Sequence, residues 1–200
     1  MKLKVPFYKQ STPLNCGPVA LQMVLAYFGE TFDIKALEEK TGINEGKGIS
    51  TLQIASASSK LGFKSEFYSK HIYFNKENLK LEFYQKYADK EIQSNKQVEE
   101  AKQNGVKLYE KSLVINKLLS FVTLDSVPIV LIDWNVVMGR KDKGYTGHFV
   151  PLVGYDNENV LIHNHGLRDT QEFMKIDRKL FDEARKAKGT DEDVVVIYRR

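Results

Sequence analysis

Cys16 is the only cysteine of this chain, and it stands six positions after Gln10 in the stretch Gln10-Ser11-Thr12-Pro13-Leu14-Asn15-Cys16-Gly17-Pro18. Beyond it Val19, Ala20, Met23, Val24 and Tyr27 recur at three- and four-residue spacing, and Gly29 marks the end of the run, so the spacing predicts a helix with Cys16 at its N-terminus. Unpaired N–H groups and the positive end of the helix dipole favour a thiolate there, and the thiolate is the nucleophile. The dipole is not enough by itself. Moving a thiol from about 8.5 to about 4 takes roughly 6 kcal/mol, whereas a helix terminus contributes at most about 2. A cationic partner must supply the rest.

Histidine is the usual partner, and the chain holds His71, His148, His163 and His165. Only His148 has a setting that suits the task. It follows the glycine-bearing segment Gly139 to Gly147, read as an exposed loop, and opens the apolar run Phe149-Val150-Pro151-Leu152-Val153-Gly154-Tyr155, read as a buried strand. After the turn Asp156-Asn157-Glu158-Asn159, a second strand, Val160 to His163, returns Asn164 toward the same end of the sheet, where its carboxamide could orient the ring. Register decides whether it can. With a plain four-residue loop Pro151 faces Asn164, and His148 lies on the opposite sheet face. A three-residue loop or a bulge sets Asn164 opposite Val150, making it a same-face diagonal neighbour of His148 at roughly 7–8 Å. The odd offset is the expectation, and alternation then turns His163 and His165 to the other face, away from the pair.

With these residues in view, Val5-Pro6-Phe7-Tyr8-Lys9-Gln10 through Asn15-Cys16-Gly17-Pro18, followed by Gly147-His148-Phe149-Val150-Pro151-Leu152-Val153-Gly154-Tyr155-Asp156, resembles the papain-like cysteine peptidases that cleave double-glycine bacteriocin leaders and their stand-alone relatives. The resemblance spans roughly Val5 to Gly62 and Ser112 to Gly166. It implies Cys16 as nucleophile, His148 as general base and acid, Gln10 as an oxyanion-hole donor, and the residue after the second strand as the orienter of the histidine. Leader peptidases typically carry aspartate then proline at that last place. This chain reads His163-Asn164-His165-Gly166, so Asn164 matches the asparagine of papain itself.

Other readings of the same residues are blander. A lone buried cysteine is most often a small core hydrophobe, and an isolated glutamine beside a turn is usually solvated. It is the combination of Gln10, Cys16, His148 and Asn164 that favours catalysis. His163 and His165 read as structural; on one strand face they could bind zinc, but no second cysteine accompanies them, so neither a metal nor a cofactor is expected. His71 has no evident partner.

Two hundred residues, 42% of them hydrophobic, suffice for a single domain over 1–200 with a substantial core. Met1 to Gln10 hold three lysines and no long apolar run, so neither a signal peptide nor a membrane span is expected, and a single unpaired thiol suits a reducing, cytoplasmic setting. A formal charge of +4, with acids and bases mixed, argues against a nucleic-acid surface; the expected partner is a peptide or protein substrate.

The elements that must position these residues read as helices in the first half and strands in the second, an α+β order that suits the papain-like architecture. Asp33 caps a helix to about Lys40, and Ser50 or Thr51 caps another ending near Gly62. Phe63 and Phe67 suggest a strand. Ser112 starts a helix bearing Val114, Ile115, Leu118, Leu119 and Val122, and Val127 to Ile132 form a central strand. Gln171 to Ile176 continue the sheet, Asp177 caps a helix through Ala187, and Val194 to Tyr198 close as a strand. The segment from about 76 to 111 is charged, free of proline and expected to be helical. It is either a solvated extension or a lid whose tyrosines and phenylalanines grip an extended chain. The favoured activity is thiol-dependent hydrolysis of a peptide or isopeptide bond through an acyl-enzyme. Acyl transfer by the same triad and a non-catalytic peptide-binding module are the alternatives.

Overall fold

The structure, a computed structural model, describes residues 1–200 apart from the side chain of residue 141. Asn15 precedes α1 (Cys16–Tyr27), and Pro18 is accommodated in its first turn because backbone N–H groups there need no helical partner. The helix buries Val19, Leu21, Met23, Val24 and Leu25, and the chain leaves it through Gly29 at φ +96°. In α2 (Ile34–Thr41) the Asp33 side chain caps the Lys35 N–H, and Gly42 ends the helix in the left-handed conformation. A reciprocal box of Ser50 and Gln53 starts α3 (Thr51–Lys60), and Gln53 Nε2 also donates to Thr41 O, tying α3 to α2.

These helices lie against one sheet. Among the described residues it has seven strands, β1 (Lys64–Ser69), β2 (Lys107–Glu110), β3 (Ser126–Asp133), β4 (Gly147–Tyr155), β5 (Asn159–Asn164), β6 (Gln171–Asp177) and β7 (Val194–Tyr198), in the order β2-β1-β7-β3-β4-β5-β6. Only β1 and β2 run parallel; the other neighbours are antiparallel. Every residue of β3 is buried, as expected of a central strand of near-continuous apolar sequence. The α+β, papain-like arrangement read from the sequence is therefore the arrangement observed, with Cys16 on the N-terminal helix and His148 and Asn164 on the sheet.

Three local expectations change. The helix expected from Ser112 shortens to α6 (Ile115–Leu119), because the Ser112 hydroxyl donates to Glu192 instead of capping and Val114 is left exposed. The loop before β4 is not loose: α7 (Trp134–Val137) is capped by Asp133, and Asn135 Nδ2 donates to Gly144 O and Thr146 Oγ1, which ties the segment back on itself. The charged stretch from 76 to 111 divides in two. After a short 3-10 turn, α4 (Glu82–Tyr87) buries none of its residues, whereas α5 (Asn95–Gln103) sinks Val98 and Ala101 into the core and β2 extends the sheet beside β1. Lastly, Asp177 caps α8 (Arg178–Arg185) through the Lys179 and Leu180 N–H groups.

Candidate active site

The odd register offset that would put His148 and Asn164 on one face comes from a bulge. Tyr155 pairs with Val160 and Gly154 with Leu161, but Leu152 pairs with Ile162, so Val153 is the extra residue in β4. Gly154 is required there. A Cβ at this position would lie 2.6 Å from Met1 O and 3.0 Å from Lys2 Cα, because the N-terminal residues run alongside β4 with Leu3 N donating to Val153 O and Tyr155 N to Met1 O. The same N-terminal run continues to Gln10, whose N–H donates to His165 O at 2.9 Å.

His148 is buried, and its ring hydrogen-bonds the Asn164 side chain. Nε2 is the fully buried ring nitrogen and has no other partner. Asn164 is itself held, its Nδ2 donating to Asp169 O at 2.6 Å from a turn in which Asp169 takes φ +54°. Trp134 stands edge-on to the imidazole at 5.4 Å. Burial, reinforced by the neighbouring His165 ring, brings the His148 pKa down to about 3, with the Asn164 bond opposing.

Cys16 lies beside this group at the head of α1. Its sulfur accepts from the Phe149 N–H, one residue after His148, and from the N–H groups of Gly17 and Cys16 itself. Burial still pushes the thiol pKa up, outweighing these donors. The helix-terminus argument for a standing thiolate thus meets a desolvated site, and the enclosed pair is a neutral thiol and a neutral imidazole. Gln10 is buried close by, its Nε2 donating to Thr12 O at 2.9 Å while Oε1 has no partner. One amide proton remains for another acceptor.

The two other histidines of this region separate. His163 is consumed by the fold: Phe173 N donates to its Nδ1, so Nε2–H donates to Val5 O, and no lone pair is left for a metal. His165 corrects the sequence reading. The alternation that turns it away stops at Asn164, where β5 ends, and the His165 ring packs 5.0 Å from that of His148, with Nε2 facing Cys16 O at 2.9 Å and Nδ1 facing His163 O at 3.2 Å. It ties the head of α1 to the end of β5. Among the described residues no group of three or more His, Cys, Asp or Glu side chains converges as a metal site.

Cys16 opens into a cavity of about 60 Å³, walled by Phe83, Tyr84 and Tyr87 of α4 together with Tyr145, Leu131 and Phe149. Sequence reasoning did not single out the acids at its far side, Asp191 and Asp193. The visible signal was an Asp191-Glu192-Asp193 run directly ahead of the apolar β7; the left-handed backbone of Asp191 and Glu192 that aims it has no signature in residue type.

With this geometry in place, comparison with known proteins gives two results. A family model described as guanylylate cyclase matches residues 5–197. The chain belongs to that family. Its fold, in turn, is that of double-glycine peptidase domains. A double-glycine motif protease from an AMS/PCAT transporter, solved in complex with the leader peptide, superposes with a TM-score of 0.54 at 18% identity, covering 100% of this chain and 94% of that one. The peptidase domain of Streptococcus ComA, a bifunctional ABC transporter of a quorum-sensing pathway, gives 0.54 at 14% identity over 98% and 99%. A putative C39-like peptidase from Bacillus anthracis gives 0.57 at 18% identity over 100% and 98%. The bacteriocin-processing, papain-like resemblance read from two sequence segments therefore extends, as a fold, over the whole chain.

Proposed function

We propose that this member of the guanylylate cyclase family is a cysteine-peptidase-like thiol hydrolase acting on a peptide or isopeptide bond. The reading rests chiefly on one observation, the convergence of three elements on a single point: the head of α1 brings the Cys16 sulfur to the Phe149 N–H, and the β4 bulge puts Asn164 on the ring of the adjacent His148. In the proposed reaction a ring nitrogen of His148 takes the thiol proton as the sulfur attacks the carbonyl carbon. The proton then passes to the leaving amine as the C–N bond breaks, giving a thioester. Water, deprotonated by the same nitrogen, hydrolyses it to a carboxylate and the free thiol. A neutral imidazole is the correct starting form for this sequence. The Asn164 bond favours the imidazolium that forms in transit, in the role an orienting residue plays in triads generally. Gln10 and the Cys16 N–H are proposed as donors to the oxyanion.

The name of the family points to a different chemistry, and the cleft speaks against it here. A nucleoside triphosphate is held by cationic groups on its phosphates, whereas the cavity beside Cys16 is lined by Asp191 and Asp193 and by aromatic rings. Acyl transfer to an amine uses the same first half-reaction and differs only in the second nucleophile. A binding module of the same fold has no use for an oriented imidazole beside a thiol.

Digestion of a peptide library by the wild type and by Cys16→Ala, read by mass spectrometry, tests the assignment, with an added amine acceptor to reveal transfer. Cleavage by the wild type alone is the expected result. Formation of cyclic nucleotide from GTP, undiminished in Cys16→Ala and without peptide cleavage, would overturn it.

A further inference from the structure

Three buried oxygen atoms of the cavity beside Cys16, Asp193 Oδ1, Tyr145 Oη and Thr51 Oγ1, lack a hydrogen-bond partner of good geometry; the Ser69 and Thr51 hydroxyls serve the Asp193 carboxyl only loosely, as Tyr84 does Tyr145. The residues of the three are 4%, 9% and 0% exposed, so water does not serve them from outside. Buried oxygens so loosely served are rare, and three lining one cavity leave acceptor capacity turned to its interior. The acids also lack a basic counterpart, and burial keeps the Asp193 carboxyl protonated while the cavity is empty, so an entering ammonium would displace that proton. Asp191 accepts from the amides of Asn75 and Asn78, and among the described residues no basic side chain pairs with Asp191 or Asp193. Glu192, between them, is the one taken up by Lys70 and Arg185. The backbone spends strain on this layout, since Asp191 and Glu192 take φ +47° and +56° in succession, a conformation that costs free energy for residues other than glycine.

Register fixes where the acid lies relative to the nucleophile. Val194 pairs with Val130, Leu131 N donates to Asp193 O, and Leu131 pairs with Phe149, so Asp193, Leu131 and Phe149 form one row across β7, β3 and β4. At about 4.8 Å per strand, Asp193 stands roughly 10 Å from Phe149, whose N–H contacts the Cys16 sulfur. Between them the walls are rings and aliphatic groups.

We propose that this cavity is a specificity pocket for a primary ammonium on an apolar stem, a lysine side chain of the substrate, whose three N–H donors meet Asp193 Oδ1, Tyr145 Oη and Thr51 Oγ1. An ammonium offers three donors on a compact head, where the planar fork of arginine offers five. The four-carbon stem lies along Leu131, Phe83 and Tyr87, and the chain then emerges at Cys16. This identification of the occupant rests on the hydrolase reading for the peptide that carries the lysine; the ammonium site itself does not.

Two experiments separate the two. The first needs no turnover: Nα-acetyl-lysine amide, its norleucine analogue and its arginine analogue are titrated into wild type and Asp193→Asn, with NMR shifts of Thr51 and Tyr145 as readout and thermal melting as the folding check. The lysine amide is expected to bind at least about tenfold more tightly than norleucine in the wild type, and equally in Asp193→Asn. Equal binding of lysine and norleucine by the wild type overturns the site, and equal binding of arginine overturns the ammonium assignment. The second follows Cys16 alkylation by acyl-lysine and acyl-norleucine chloromethyl ketones. Amide binding without alkylation by either reagent keeps the pocket and removes the hydrolase; alkylation that ignores the side chain keeps the hydrolase and removes the pocket.

Discussion

Cys16 has the neighbours of a nucleophile but the environment of a core thiol, and this combination predicts its reactivity. Burial raises its pKa and the closed site holds no cation against it, so in the free protein iodoacetamide should react more slowly than with a small thiol at pH 7. The rate should climb as pH passes the ordinary thiol range near about 8.5. Rapid alkylation at pH 6 would instead show a standing thiolate. Within the proposed triad, His148→Ala should lower turnover by about 10²–10⁴-fold, the usual worth of a general base, and Asn164→Ala by less, since its loss loosens the ring without removing the base. Measured kcat values in the reverse order would contradict the assignment. The triad candidates could be read from the chain because Cys-Gly-Pro before an apolar helix and Gly-His before an apolar strand are local patterns. His165 could not, because its place depends on β5 stopping one residue short of it.

At the level of elements, the site depends on a bulge and a helix. Gly154→Ala drives a Cβ against Met1 O and Lys2 Cα, so either the N-terminal strand lifts or β4 slips. A cost of about 1–3 kcal/mol is expected in denaturant unfolding, and turnover should fall further than stability, because a slip of one residue carries Asn164 to the wrong face. Loss of stability with unaltered kcat would mean that register is held elsewhere. Phe83→Ala with Tyr87→Ala should raise KM for peptides several-fold while leaving iodoacetamide alkylation no slower, since α4 walls the cleft without touching the sulfur's donors. The sequence treats 76–111 as one charged unit. In the folded chain only its first half faces the cleft, while Val98, Ala101 and β2 serve the core and the sheet edge, a division set by tertiary contacts that a 3.6-residue period does not encode. The need for an odd register offset, by contrast, was legible in the positions of His148 and Asn164, though whether loop or bulge supplied it was not.

Across the whole molecule, a buried acid and the buried histidines shape the response to pH in opposite senses. The Asp193 pKa is raised from 3.8 to about 8, chiefly by burial, so its contribution to stability is full below 3.8 and is lost as pH rises to about 8. His148 is lowered from 6.5 to about 3, so its contribution is present above 6.5 and is lost as pH falls toward about 3. Between pH 6.5 and 8 the Asp193 effect is opposed by the unfolded-state titration of His148, His163 and His165, all three lowered in the fold by burial. Relative to Asp193→Asn, which carries the same histidines, the unfolding free energy of the wild type should fall across that window by about 2 kcal/mol, and Asp193→Asn should be the more stable protein at pH 7. A constant difference between the two proteins across the window would show Asp193 already ionised. An acid kept at such a cost is typical of a functional site, where local consistency gives way to chemistry.

The central claim is that Cys16 forms a covalent acyl intermediate with His148 as its base, and intact-mass spectrometry of the protein quenched during turnover of a cleavable peptide tests it most directly. The account predicts a mass increase equal to the acyl portion of the peptide, mapped to Cys16 and absent in Cys16→Ala and His148→Ala. A peptide cleaved at the wild-type rate by His148→Ala, or an adduct mapped to any other residue, would contradict it.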